Sequence, residues 1–280
     1  VPTRGSRRVT NLTREMILPQ SEIAIIGGSG VYDLPELGDR HWLRVDSPFG
    51  RTSDEFLFGR LDEVRVVFVP RHGRGHVLSP SAINYRANID ALKRCGVKDV
   101  ISVSAVGSLA EEFFPGMFVL VDQYIDRTFA RESSFFGAGC VAHVSMAQPT
   151  CSQLSSVLAE AAKAAAIPHK LGGTYLAMEG PQFSSLAESR LYRSWGCDVI
   201  GMTNMPEAKL AREAELCYSP ICMVTDYDCW HPHHQNVSVA DVVRVMTENS
   251  RNAQRLLLEA IPRIASDPDR PNWYGRNALD

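Results

Sequence analysis

The chain has 280 residues, of which 45% are hydrophobic, 22% charged and 8% aromatic. These proportions are typical of globular proteins and argue against an intrinsically disordered chain. The formal net charge of −3 excludes a basic nucleic-acid footprint over the whole chain, although it allows a local anion site. No apolar run approaches the roughly 20 residues of a membrane span. We therefore expect neither nucleic acid nor a membrane as a partner.

The chain divides into three predicted parts. Residues 1–20 contain four arginines and lack the apolar core of a signal peptide, so we expect a flexible N-terminal leader. Whether that leader is a targeting segment or an expression remnant stays open. Residues 21–265 contain no repeat and no linker, which predicts one domain. Residues 266–280 are rich in Asp, Pro and Arg and are predicted to be a peripheral C-terminal tail.

Seven cysteines are scattered along the sequence, with an odd count and no C-x-x-C spacing. A chain of this length needs no disulfide bonds to hold its core together. We therefore expect mostly reduced thiols and a cytoplasmic location. Cys217 and Cys222 stay open as a redox-active pair, with packing between strands as the alternative.

Short apolar runs predict the strands in chain order. They lie at residues 23–26, 64–69, 100–103, 117–121, 199–202 and 221–224. Helical spacing of apolar residues predicts helices at residues 154–165 and 239–260. A capping box at Ser185 and Glu188 and a proline at Pro206 mark the starts of two more. Strands alternating with helices predict an α/β domain whose mixed central sheet is flanked by helices.

Polar residues follow these predicted strands, at the positions where ligands gather in such sheets. The segments are residues 27–30, 71–76, 104–108, 202–204 and 225–228. The first four contain glycines and the side chains that hold a small oxyanion, with Arg71 as a bidentate donor and His72 as a further donor. Hydroxyl donors come from Ser29, Ser104 and Thr203. Each group alone is commonly a turn or a surface contact, but their coincidence favours an anion site.

Two carboxylates spaced i, i+2 follow the last predicted strand. Asp226 and Asp228 point to the same side of an extended segment, where they can bind the N7 and amino group of a purine. A solvated acidic turn and a metal site are the alternatives. Three histidines at positions 231, 233 and 234 suggest zinc, but they lack the spacing of a structural site. We therefore expect no metal.

Six segments of the chain together resemble the S-methyl-5'-thioadenosine phosphorylase family, within the wider group of trimeric purine nucleoside phosphorylases. They are Ile-Gly-Gly-Ser-Gly at 26–30, Arg-His-Gly-Arg-Gly-His at 71–76, Asn-Tyr-Arg-Ala-Asn at 84–88, Glu-Gly-Pro-Gln-Phe-Ser at 179–184, Gly-Met-Thr-Asn-Met-Pro-Glu at 201–207 and Thr-Asp-Tyr-Asp-Cys-Trp at 225–230. The resemblance runs in order from about residue 22 to 264.

The resemblance implies a purine nucleoside phosphorylase-like fold and a homotrimer with sites near subunit interfaces. It also implies a reaction in purine and methionine salvage, in which 5'-methylthioadenosine and phosphate give adenine and 5-methylthioribose 1-phosphate. No metal or organic cofactor is implied, since inorganic phosphate is a co-substrate. The alternative is a broader purine nucleoside phosphorylase that acts on adenosine or 6-oxopurine nucleosides.

Carried over by position, the resemblance implies a role for each site residue. Phosphate would be bound by Ser29, Arg71, His72, Ser104, the backbone at Ala105, and Thr203. Adenine would lie against Phe183 with Asp226 at N7 and Asp228 at the amino group, and ribose would pack on Met202. Val239 and Val242 would line the methylthio pocket, which His143 would reach from a neighbouring subunit.

The chemistry of the reaction assigns a general acid. Cleavage of the glycosidic bond leaves negative charge on the departing base, which a protonated Asp226 would neutralise at N7. The free pKa of an aspartate, about 3.9, is too low for that role. Burial beside Asp228 is therefore predicted to raise the pKa of Asp226.

Overall fold

The computed structural model of the chain describes residues 18–28, 30–232 and 239–279, with the backbone alone at 239–243. The strands are β1 Ile23–Gly27, β2 Gly38–Leu43, β3 Phe56–Leu61, β4 Val64–Pro70, β5 Asp99–Ser108, β6 Phe118–Leu120, β7 Gln123–Asp126, β8 His169–Leu171, β9 Thr174–Ala177, β10 Val199–Gly201 and β11 Cys217–Tyr227. The helices are α1 Tyr85–Arg94, α2 Ser152–Ala164, α3 Leu186–Ser194, α4 Asn204–Glu213 and α5 Val239–Ser266. Short 3-10 turns occur at Pro80–Ala82 and Arg270–Asn272.

The strands form one mixed sheet, which confirms the predicted fold class. Its main path runs β2-β3-β4-β1-β5-β10-β9-β7, and β11 pairs with β5 and β6. Strands β1, β4, β5 and β11 are parallel to one another, so their carboxyl ends point toward the same edge of the sheet. Strand β10 instead runs antiparallel to β5.

Both faces of the sheet are covered, as the near-continuous apolar strands predict. Alternate residues of β1 point to opposite faces, with Ile25 packing in one apolar cluster and Ile26 in the other. The cluster around Ile25 includes Leu154 of α2 and Leu257 of α5, whereas the cluster around Ile26 includes residues of α1 and α4. The helices therefore fix the positions of the strand ends from both sides.

Strand β5 has an unpaired stretch along one edge. Strand β11 pairs with β5 from Asp99 to Ser108 and occupies one edge completely. Strand β1 pairs with the other edge only as far as Ser102. Strand β10 pairs with that same edge only at Gly107 and Ser108. Residues 103–106 therefore border a crevice between the ends of β1 and β10. Ala105 is the one exposed residue of β5, whose other residues are buried or, at Gly107, half-buried, and it marks the crevice opening.

Two strands differ in length from their predictions. The predicted strand at 100–103 continues to Ser108 because β11 and β10 supply partners beyond residue 103. The predicted strand at 221–224 begins at Cys217 and continues to Tyr227, with a bulge between Val224 and Asp226. Ser104 therefore lies inside a strand rather than after one, although it lies beyond the end of neighbouring β1.

The C-terminal segment packs on the domain, so the expectation of a peripheral tail is wrong. Trp273 is 3% exposed. Arg270 and Arg276 donate hydrogen bonds to the two carboxylate oxygens of buried Asp99, at 2.6 and 2.8 Å. These contacts fasten the segment to the first residue of β5. The predicted domain division at residue 265 stays a prediction, because packing alone does not define a boundary.

One pair of cysteines forms a disulfide bond, Cys151 with Cys217, whose Cα atoms are 5.3 Å apart. The expectation of reduced thiols is therefore wrong for these two residues, which are separated by 66 positions in the sequence. The bond joins the residue before α2 to the first residue of β11. The other five cysteines, including Cys222, are free. The suggested pairing of Cys217 with Cys222 is thus also wrong.

None of the helices within the described ranges combines the length and the apolar character needed to cross a membrane.

Candidate active site

Arg71 follows the last residue of β4, where the parallel strands β1 and β4 end side by side. Its backbone N–H donates to Gly27 O at 2.9 Å, and its guanidinium donates to Val103 O at 2.8 Å. The side chain is only 2% exposed and forms an ion pair with Glu207 of α4. Although burial opposes the charged form, Glu207 raises the pKa of Arg71, so the guanidinium stays protonated.

Glu207 occupies the two-donor side of the Arg71 guanidinium. Nε donates to Glu207 Oε2 at 2.9 Å and Nη2 donates to Oε1 at 3.1 Å. The Glu207 carboxylate also accepts from Ser102 at 2.6 Å and from Tyr218 at 2.9 Å. The expected bidentate grip of Arg71 on an anion is therefore wrong. The remaining Nη1 edge, which already donates to Val103 O, offers a single further N–H.

His72 follows Arg71 and has a fixed tautomer when neutral. Its Nδ1 lies 2.8 Å from the carbonyl oxygen of Leu78, and a carbonyl only accepts, so Nδ1 carries the proton. Burial lowers the pKa of His72 to about 4 despite that hydrogen bond. At neutral pH Nε2 is therefore an acceptor, rather than the donor that we expected from the sequence. It suits an oxyanion that carries a proton, such as monohydrogen phosphate.

Ser104 and Thr203 border the crevice from β5 and from the loop after β10. Both side chains are buried, with exposures of 6%. The Ser104 hydroxyl donates to Asn204 Oδ1 at 3.3 Å, which brings the two segments together. The Thr203 N–H lies 3.3 Å from the Tyr175 hydroxyl, and a side chain at Gly201 would collide with that hydroxyl. Glycine is therefore required where β10 ends.

Asp226 and Asp228 lie at the carboxyl end of β11, beside the last residues of β5. Asp226 pairs with Gly107 of β5, and the N–H of Asp228 donates to Ser108 O at 2.9 Å. The Thr225 hydroxyl donates to Asp226 Oδ1 at 2.6 Å. Burial, assisted by the nearby charge of Asp228, raises the pKa of Asp226, although the Thr225 hydrogen bond opposes the shift. The predicted direction of the pKa shift is confirmed.

Strand β5 connects the residues around Arg71 with those around Asp226. Arg71 bonds to Val103, and Asp226 pairs with Gly107, four residues further along β5. At about 3.3 Å per residue, the two positions are about 13 Å apart. That distance suits a phosphate, a sugar ring and a purine base placed end to end.

Of the remaining predicted site residues, some have side chains that the structure describes and others lie outside the described part of the chain. Phe183 is 85% exposed, so its ring has a free face, and Met202 is half-buried beside the crevice. His143 is exposed. Ser29 lies outside the described residues, as do the side chains of Val239 and Val242, although those two residues belong to the described backbone of α5.

The histidine cluster provides no metal site in the described part of the chain. His231 Nε2 lies 3.3 Å from Glu111 Oε1, whereas residues 233 and 234 fall outside the described ranges. Across residues 18–28, 30–232 and 239–279, no three His, Cys, Asp or Glu side chains are grouped closely enough to bind a metal ion.

A family model described as "Phosphorylase superfamily" matches residues 22–262. The chain belongs to the phosphorylase superfamily. The match covers every strand of the sheet, with Arg71 and Asp226, and it confirms the family resemblance noted in the sequence.

Similar proteins within this superfamily are named as methylthioadenosine phosphorylases. The chain is 62% identical over 252 residues to an S-methyl-5'-thioadenosine phosphorylase from Rhodospirillum rubrum, covering 90% of this chain and 85% of that protein. A methylthioadenosine phosphorylase structure from an Antarctic soil metagenomic library has a TM-score of 0.89 and 47% identity, covering 93% of this chain and 91% of that one. A mutant of the adenosine/methylthioadenosine phosphorylase from Schistosoma mansoni, crystallised with methylthioadenosine, has a TM-score of 0.84 and 33% identity, covering 90% and 95%.

Several side chains that hold the predicted site residues in place were not predicted from the sequence. They are Glu207 at Arg71, Tyr218, which donates to Glu207, Thr225 at Asp226, and Ser184, which donates to Asp228 Oδ2 at 3.0 Å. Thr225, Ser184 and Glu207 belong to the segments that carry the family resemblance, which was a usable signal. Tyr218 lies in the first, unpredicted part of β11 and had no such signal.

Proposed function

We propose that the crevice along β5 is the active site for phosphorolysis of 5'-methylthioadenosine. The chain transfers the 5-methylthioribosyl group from adenine to inorganic phosphate, giving adenine and 5-methylthioribose 1-phosphate. The relative at 62% identity and the solved structures with matching folds are named for this substrate. The observation that carries the residue assignment is that Arg71 contacts β5 at Val103 and Asp226 contacts it at Gly107, only four residues further along.

Phosphate is placed at the Arg71 end of the crevice. The Nη1 edge of Arg71 and the hydroxyl groups of Ser29, Ser104 and Thr203 donate to its oxygens, together with the backbone at Ala105. His72 Nε2 accepts a hydrogen bond from the hydroxyl group of monohydrogen phosphate, which keeps its proton. Held in this way, an oxygen of the phosphate attacks the anomeric carbon from the side opposite to the base. The negative charge of the phosphate also stabilises the positive charge that develops on the ribose.

The adenine is placed at the Asp226 end. Asp226 donates its proton to N7 as the bond to the anomeric carbon breaks, so the base leaves without a full negative charge. Asp228 accepts from the 6-amino group, while the Ser184 hydroxyl orients its carboxylate. Phe183 lies against the base, and Met202 lies against the ribose. The raised pKa of Asp226 supports its assignment as the acid.

The proposal also includes a homotrimeric assembly and a pocket for the 5'-methylthio group. The exposed apolar side chains of Phe129 and Val141, at 84% and 73%, support a surface that another subunit covers in a homotrimer. In that assembly His143 reaches the methylthio pocket of a neighbour, and Val239 and Val242 line the pocket. The reaction uses phosphate as co-substrate, with no metal and no organic cofactor. The predicted cytoplasmic location stays a prediction.

A product assay tests the reaction. Methylthioadenosine, adenosine and inosine are each incubated with the protein, with and without phosphate. We expect adenine release from methylthioadenosine that requires phosphate, with formation of the sugar 1-phosphate. Adenine release without phosphate would indicate a hydrolase and contradict the proposal. Faster turnover of adenosine or inosine would favour the broader phosphorylase over the proposed specificity.

A further inference from the structure

The Arg131 guanidinium lies between two loops that contribute different parts of the proposed active site. Its Nη1 donates to the carbonyl oxygens of Met202 and Met205, and its Nη2 donates to the carbonyl oxygen of Glu179 at 2.6 Å. Met202 and Met205 flank the phosphate residue Thr203 in the chain, whereas Glu179 begins the loop that continues to the base. One side chain thus connects the loop after β9 with the loop after β10.

The Glu179 carboxylate holds Arg131 and its neighbours in return. It lies 3.4 Å from Arg131 Nε and accepts hydrogen bonds from the N–H groups of Phe129 and Ala130 at 2.6 and 3.3 Å. The Ser81 hydroxyl also donates to it. Although burial favours the neutral form, these hydrogen bonds lower the pKa of Glu179, so the carboxylate stays charged. The pair of Arg131 and Glu179 therefore joins four segments of the chain, at residues 81, 129–131, 179 and 202–205.

Arginine is well matched to this position. A guanidinium has five N–H donors in a planar fork and stays charged at any physiological pH. Here the fork reaches carbonyl groups on two loops and a carboxylate, and the side chain is only 2% exposed. Lysine has three donors at a single nitrogen and cannot bond to both loops in the same geometry. Buried carbonyl groups left without donors favour a shift of the loops toward water.

We propose that Arg131 is a positioning residue that sets the distance between the phosphate-side loop and the base-side loop. This inference rests on the proposed function, because it assumes that Thr203 binds phosphate and that the loop containing Phe183 binds adenine. A displacement of about 1 Å between reacting groups is enough to lower rates about 100-fold. Because Arg131 bonds to both loops, its replacement is expected to weaken the binding of phosphate and of methylthioadenosine together.

Steady-state kinetics of Arg131→Met and Arg131→Lys test the proposal. We expect the KM values for phosphate and for methylthioadenosine both to rise at least about tenfold in Arg131→Met, with kcat reduced. Arg131→Lys keeps the charge and provides a milder variant if Arg131→Met does not fold. We expect its KM values for both substrates to rise by at least about threefold. Thermal unfolding measured in parallel defines a temperature at which each variant is folded.

Arg212→Met is the matched control. Arg212 is 4% exposed, donates to a backbone carbonyl of Ser145 at 3.3 Å and lies over the Tyr274 ring, away from both loops. We expect its removal to lower stability while both KM values stay within about twofold of wild type. Folded Arg131 variants with unchanged KM values for both substrates would overturn the positioning role. Lack of phosphate-dependent adenine release by the wild-type protein would instead overturn the proposed function.

Discussion

The Thr225 hydroxyl lies 2.6 Å from Asp226 Oδ1 and 3.2 Å from Val106 O, yet it carries one proton. When Asp226 is ionised, the hydroxyl donates to the carboxylate. When Asp226 is protonated, the carboxyl group can donate to the hydroxyl, which then donates to the carbonyl of Val106. The bulge in β11 that brings these groups together thus accommodates both protonation states of the proposed acid.

Replacing Thr225 with valine tests this relationship. Removal of the hydroxyl deprives ionised Asp226 of a donor, so the pKa of Asp226 rises further. Because a general acid must be protonated, activity falls as pH rises through that pKa. We expect the alkaline fall of kcat/KM for methylthioadenosine to move to higher pH in Thr225→Val. Thr128→Val is a matched control, because Thr128 donates to Asp126 in a similar contact at 2.7 Å. A pH profile identical to wild type would contradict the role of Thr225.

Asp226→Asn removes the acid but keeps a hydrogen-bond donor. We expect kcat/KM for methylthioadenosine to fall by roughly 10²–10⁴-fold, the usual contribution of a general acid. The amide can donate to N7 of a 6-oxopurine, so some activity on inosine is expected to appear. Steady-state assays with both nucleosides measure the two effects. Unchanged kcat/KM for both would remove Asp226 from the mechanism.

Glu207→Gln tests the orientation of Arg71. Loss of the buried carboxylate leaves the guanidinium without its charge partner, which we expect to destabilise the fold by roughly 3–5 kcal/mol. The amide has one acceptor oxygen and one NH2 group, so only one of the Nε and Nη2 donors keeps its partner and Arg71 is held less firmly. The KM for phosphate is therefore expected to rise more than the KM for methylthioadenosine. Denaturant unfolding and initial-rate kinetics measure these effects.

Asp99→Asn is the control for Glu207→Gln. Asp99 is equally buried and pairs with two arginines, but it lies at the opposite end of β5. We expect a comparable loss of stability with little change in the KM for phosphate. If both variants changed that KM equally, the effect of Glu207 would be attributed to general destabilisation rather than to Arg71.

His72 gives a pH-dependent contribution to stability. Its pKa is lowered from 6.5 to about 4 in the folded protein, chiefly by burial. Between these values the unfolded state binds a proton that the folded state does not, so stability falls as pH falls from 6.5 to about 4. We expect His72→Gln to show a shallower decline over this window in urea unfolding at several pH values. Equal slopes for the two proteins would contradict the lowered pKa.

The sequence predicts the ends of β1 and β4 closely, because glycine and proline stop these apolar runs. It misplaces the end of β5, where Ser104 and Gly107 suggest a loop although β10 and β11 extend the strand. Residues that act at strand ends were found through their positions relative to apolar runs. The partners of these residues were not found. Arg71 and Glu207, for example, are 136 positions apart in the sequence, and a local pattern does not reveal such a contact.

The same limit applies to the cysteines and to the C-terminal segment. The bond between Cys151 and Cys217 depends on how the start of α2 packs against β11, which spacing along the chain does not reveal. Likewise, the polar composition of the last residues suggests a tail, but two of its arginines find a buried partner in Asp99. A charged segment can therefore be predicted to be exposed only where no residue distant in the sequence provides a buried partner of opposite charge.

The central claim is that phosphate and the purine bind at opposite ends of one crevice and act on the same bond. The most direct measurement is a crystal structure with phosphate and a nucleoside analogue that resists cleavage. We expect a phosphate oxygen within hydrogen-bond distance of Arg71 Nη1 and the purine N7 within hydrogen-bond distance of the Asp226 carboxyl group. A phosphate away from Arg71, or a purine whose N7 faces a group other than Asp226, would contradict the account.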